Sequence, residues 1–140
     1  MKPPLVSFFF FFQHSDIAIL VLKKPIQYTS TVKPVCLPKG KQSYEGKLGT
    51  VVGWGLLREN GPRPTVLQQL TMKIWNNDKC KRTYGSTAPA GIKDTMLCAG
   101  QKGKDSCSGD SGGPFSVPNS NGRWEQVGVV SWGIGKNIMP

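Results

Sequence analysis

The densest group of reactive side chains in the chain is "DSCSGDSGGPF", residues 105–115, where Ser111 stands among glycines with Asp105 and Asp110 close by. A serine hydroxyl in such a turn can attack a carbonyl carbon, provided that a base within hydrogen-bond reach takes its proton. The 140 residues hold one histidine, His14, far from Ser111 along the chain. Cys36, Cys80, Cys98 and Cys107 show no Cys-x-x-Cys spacing and have no histidine nearby, so a zinc site is disfavoured and no metal or cofactor is expected. A disulfide framework fits better and implies an oxidising compartment, with the pairing left open by spacing alone.

The elements that must position this turn read as short strands. Seventeen glycines and eleven prolines punctuate runs such as "GTVVGWG" and "EQVGVVSWG", which favours an all-β sandwich or barrel. "DIAILVL" (16–22) is a mostly apolar run suited to a buried strand, and "TSTVKPVCLPKG" reads as an extended linker because Pro34 and Pro38 hold their predecessors in extended backbone. "LGTVVGWG" (48–55) and "VLQQLTMKIW" (66–75) are expected strands on either side of the loop "LLRENGPRPT". "NNDKCKRTYG" (76–85) carries asparagine caps, an early Asp78 and a closing glycine, the pattern of a short helix. Further strands are expected at "TMLCAG", "GPFSVP" and "RWEQVGVVSWG". Gly109–Gly113 matches the Gly-x-Ser-x-Gly elbow of α/β hydrolases, but that elbow leads into a helix, whereas Gly112-Gly113-Pro114 opens a strand. No Gly-x-x-x-x-Gly-Lys occurs, which disfavours a phosphate-binding loop.

A formal net charge of +10 raises the possibility of a nucleic-acid partner. The lysines are scattered, no three basic residues are adjacent, and no aromatic residues are interleaved with them in a recognisable binding module, so no specific nucleic-acid partner is expected. The opening "MKPPLVSFFFFFQ" resembles a secretory leader faintly but lacks a small-residue cleavage site. Its apolar run is far short of the roughly 20 residues that span a bilayer. Five phenylalanines followed by Gln13 are what a pyrimidine tract and CAG splice acceptor encode, and Gly135-Lys136 can be written G-GTAAG, a splice-donor pattern. Residues 1–13 and 136–140 are therefore expected to be translated intron around a unit spanning 14–135.

With these motifs in order, the chain resembles the trypsin-like serine proteases over nearly all of residues 14–135. "SDIAILVL" is similar to the strand carrying the family's triad aspartate, "VVGWG" to its Gly-Trp-Gly segment, "MLCAG" and "DSCSGDSGGP" to the nucleophile region, and "VVSWGIG" to the substrate-binding strand. Some loop details are similar to clip-domain and clotting-cascade proteases of arthropods. The resemblance implies a double β-barrel fold, with the second barrel mostly present and the first mostly missing. It makes Ser111 the nucleophile and Asp16 the carboxylate that orients the catalytic histidine. The amides of Gly109 and Ser111 would form the oxyanion hole, and Asp105 would pair with an Arg or Lys of the substrate. Ser131, Trp132 and Gly133 would line the cleft, and Asp110 would receive the family's mature amino terminus.

The implied function is a secreted, trypsin-like serine endopeptidase that acts on protein or peptide substrates after Arg or Lys and is subject to protease inhibitors. The family's Ala-Ala-His-Cys motif has no match here, and His14 falls at a variable loop position, so this chain is expected to be an inactive piece. The alternative is a non-catalytic homologue that binds partners through the same cleft. Cys80 and Cys98 match a family disulfide. Cys107 would ordinarily pair with a cysteine at the position of Lys136, and Cys36 matches a cysteine that tethers a pro-region, so both are expected to be unpaired.

Overall fold

The computed structural model describes residues 15–58, 60–88, 90–100 and 108–134. Along the chain run β1 (Leu48–Gly53), β2 (Gln68–Ile74), α1 (Asn77–Tyr84), β3 (Ala99–Gly100), β4 (Pro114–Pro118) and β5 (Trp124–Val129). The five strands form one sheet in the order β3-β2-β1-β4-β5, and every neighbouring pair is antiparallel. The expected all-β architecture is present, with one short helix among the described residues.

Alternation decides which face of the sheet is buried. Val51 of β1, Met72 and Ile74 of β2, and Phe115 and Val117 of β4 make one apolar cluster. Register brings them together: Gly49 lies opposite Met72, and Val51 opposite Phe115. Gly49 is where the Phe115 ring fits, since a Cβ at that position would lie 2.3 Å from the ring Cζ. Thr50 and Thr71, opposite each other across β1 and β2, join their hydroxyls at 3.1 Å. Between Phe115 and Ser116 the β4–β5 register slips by a bulge, beyond which Asn119 closes the hairpin on the backbone of Asn121 and Arg123.

The helix forms where its caps demand. Asn76, in extended backbone, accepts a hydrogen bond from the Lys79 N–H at 2.9 Å, and the Gly85 N–H closes the other end on the Lys81 carbonyl. Its apolar side carries Cys80 and Tyr84, which join Ala88 and Ile92 in a second cluster. The Cys80–Cys98 disulfide expected from the family ties this helix to the segment entering β3. Replacing Asn76 with Ala is expected to lower stability by about 1 kcal/mol, seen as a lower urea midpoint at unchanged slope.

Two expectations differ from the structure. Residues 16–22 are not a buried strand: they belong to no sheet, and Ile19, Leu20 and Val21 are 89%, 85% and 92% exposed. Seven extended residues can bury their apolar side chains only against ladder partners and a facing layer, and no described strand pairs with them. The strand expected over "TMLCAG" is seen over Ala99–Gly100, preceded by the Cys98 carbonyl accepting the Trp75 N–H at 2.8 Å. The linker expected over residues 29–40 belongs to no strand and opens with a turn, in which the Thr29 N–H donates to the Val32 carbonyl and the Val32 N–H to the Thr29 hydroxyl. It is fastened to β5 where the Gln126 N–H donates to the Cys36 carbonyl at 2.9 Å. Nearby, Glu125 accepts from Asn119 and from the Tyr44 hydroxyl, and these bonds hold its carboxyl below the usual carboxylate range.

Candidate active site

Ser111 is exposed at the tip of a turn that backbone hydrogen bonds fix on two sides. On the sheet side the Gly112 N–H donates to the Val130 carbonyl at 2.7 Å, and the Val130 N–H returns to the Gly113 carbonyl at 2.9 Å. Within the turn, the Gly113 N–H reaches the Asp110 carbonyl at 2.9 Å. On the far side the Leu56 N–H donates to the Ser108 carbonyl at 2.9 Å. Gly109 and Gly112 have φ of +102° and +81°, the left-handed backbone that favours glycine. Among the described residues no acceptor takes the amide N–H of Gly109 or of Ser111. Both residues are exposed, and amides without an acceptor are groups that can bind a negative oxygen.

The carboxylate of Asp110 lies against the Gly-Trp-Gly segment. Its Oδ1 accepts the Gly55 N–H at 2.9 Å. The spacing of that segment is a matter of room: a Cβ at Gly53 would lie 2.2 Å from Asp110 Oδ1, and one at Gly55 2.4 Å from its Cγ. Trp54, between them, turns outward. The sequence "GWG" is thus an opening shaped for the Asp110 carboxylate.

Asp16 reaches the same place from the start of the described chain. The Ser131 hydroxyl donates to Asp16 Oδ2 at 2.6 Å, and the Ser131 carbonyl receives the Ser111 hydroxyl at 3.5 Å, the outer limit for such a bond. The short bond to Asp16 is charge-assisted. Asp16, Ser131 and Ser111, each singled out from the sequence, therefore lie in one hydrogen-bonded series. The Ser131 side chain thus does more than line the cleft as expected: it joins Asp16 to the Ser111 turn. Trp132 packs against the cluster around Cys80 and Tyr84. Together with Ser131 and Gly133 it borders a cavity of about 510 Å³ running between the sheet and α1, whose walls include Met72, Tyr84 and Phe115. Asp105, Cys107 and His14 lie outside the described residues. Cys36 is a free thiol, half-buried beside β5.

The family model described as Trypsin matches residues 8–139. The chain belongs to the trypsin family. It is 42% identical over 123 residues to the serine proteinase stubble of Drosophila melanogaster, covering 86% of this chain and 16% of that protein. It is 41% identical over 126 residues to human testisin, covering 86% of this chain and 40% of that protein. Human transmembrane protease serine 11B is 41% identical over 125 residues, with 87% and 30% covered. The chain thus spans well under half the length of each of these relatives. The antiparallel sheet and the short helix of the described residues are consistent with the all-β fold of the trypsin family. Among the described residues no helix is long and apolar enough to cross a membrane.

Proposed function

We propose that this chain is part of a secreted serine endopeptidase that cleaves peptide bonds after Arg or Lys. The series Asp16–Ser131–Ser111, set beside the unused amides of Gly109 and Ser111, is the observation that carries this reading. In the proposed reaction the Ser111 Oγ adds to the carbonyl carbon of the scissile bond and its proton passes to a base. The developing oxyanion is held by the two amides, each worth roughly 3 kcal/mol in the transition state. Collapse expels the amine, which takes up the proton, and leaves an acyl-enzyme that water then hydrolyses to regenerate the serine. Asp105 would hold the substrate's cationic side chain, and the backbone of residues 131–133 would hold the preceding residues in extended form. The Cys80–Cys98 disulfide supports an oxidising, extracellular setting.

The base in such a reaction is an imidazole that Asp16 orients, and the one histidine of these 140 residues, His14, is only two positions from Asp16. We infer that the 140-residue chain by itself is inactive. Incubated with an arginine ester, it is expected to give no turnover above solvent. Clear turnover abolished by Ser111→Ala would show instead that His14 or another group serves as the base. The specificity pocket is tested separately by benzamidine, an arginine mimic, read as a thermal shift. Binding that disappears in Asp105→Asn supports the assignment, and binding indifferent to that change removes it.

A further inference from the structure

We propose that Arg63 is a specificity residue that selects an acidic side chain immediately after the scissile bond; this rests on the protease reading given above. The loop between β1 and β2 is folded onto the Ser111 turn. The Leu56 N–H anchors it to the Ser108 carbonyl at 2.9 Å, and the Leu57 N–H reaches the Pro62 carbonyl at 3.3 Å, bringing the two limbs of the loop together. Arg63 follows directly, and its guanidinium lies against Gly109. The Nη1 atom sits 2.6 Å, and Cζ 3.3 Å, from the point that a Cβ on Gly109 would occupy. Gly109 therefore does two things at once: it adopts a φ of +102° and it leaves the space that the guanidinium fills.

The charge placed there is available. Arg63 is exposed, and among the described residues the one ion pair is Lys81 with Asp94, so no described carboxylate lies within ion-pair distance of Arg63. Its side of the cleft follows from the same bonds. Ser111 contacts the Ser131 carbonyl, at the head of the segment along which the residues before the scissile bond would run. The loop carrying Arg63 meets the turn at the opposite end, at Ser108 and Gly109. A substrate continuing past Ser111 leaves that strand and passes the guanidinium, whose planar fork suits a carboxylate.

The test uses the full 140-residue chain carrying Ser111→Ala, so that binding is read without turnover. Two fluorescent peptides with the same sequence up to and including an arginine, followed by Glu in one and Lys in the other, are titrated by anisotropy. Because the site is exposed and screened, the Glu peptide is expected to bind about fivefold more tightly at low salt, with the ratio shrinking as salt is added. Arg63→Gln should bring the ratio close to one, Arg63→Glu should invert it, and Arg63→Lys should restore part of it. Circular dichroism confirms that each variant is folded. Equal affinity for the two peptides, or a ratio unmoved by Arg63→Glu, overturns the proposal while leaving the protease reading in place. If neither peptide binds, the protease reading fails and the role of Arg63 falls with it.

Discussion

Phe115→Ala is expected to lower the stability of the chain by about 3–5 kcal/mol, the range for emptying a buried aromatic site. Phe115 is 6% exposed and sits where β1, β4 and β5 meet, paired with Val51 on one side and Gly128 on the other. Its ring lies over Gly49, so the cavity left behind would open on backbone that cannot collapse to fill it. A double substitution sharpens the prediction. Gly49→Val alone should be destabilising, because its Cβ would enter the ring at 2.3 Å from Cζ. In the Phe115→Ala background the same valine has room and should recover part of the loss, so the two costs should be strongly non-additive in urea titrations. Simple additivity would mean that the ring does not occupy this space. Phe115 is the second residue of β4, two positions after Gly113, whose carbonyl receives the Val130 N–H, so the turn bearing Ser111 should loosen with it.

Removing the Cys80–Cys98 disulfide is the second large effect. The two cysteines are 18 positions apart, and opening a loop of that length gives the unfolded chain freedom worth about 3 kcal/mol. The bond also holds α1 against the segment leading to β3, and Cys80 is 3% exposed within its cluster. A Cys80→Ala, Cys98→Ala chain should therefore melt well below the parent. The parent treated with a reductant should fall to nearly the same temperature, while the variant should not respond to reductant at all. A variant as stable as the parent would show that packing around Tyr84 and Ile92 suffices without the covalent link.

The parts of the fold that could be read from the chain are those with local causes. Asn76 before an eight-residue helix and Gly85 after it are visible as letters, and so are the glycines and prolines that bound β1 and β4. The buried strand expected over residues 16–22 failed because burial of an apolar run belongs to its partners, not to the run itself. Sequence order carried Ser111, Asp16 and Ser131 as candidates through family resemblance. The hydroxyl of Ser131 on Asp16 could not be read that way, since it joins positions 115 residues apart. Arg63 was equally hidden: in the sequence it is one more basic residue in a polar loop, and only the fold of that loop puts it beside Gly109. Asp110 was expected to receive an amino terminus; in the structure its Oδ1 accepts the Gly55 N–H, an arrangement that the two glycines around Trp54 allow.

The bond between Ser131 and Asp16 also has a kinetic meaning. It joins positions 115 residues apart, but Cys36 is already fastened beside β5, so the bond secures only the exposed segment that precedes Cys36, with the free energy of about one hydrogen bond. A single exposed hydrogen bond at the end of a segment with few buried contacts is among the first to open. Under the proposed function, the fraction of time that Asp16 is docked would set a ceiling on how often Ser111 finds that carboxylate in place. Anything that settles on residues 16–22 and holds them still would raise that ceiling without touching Ser111.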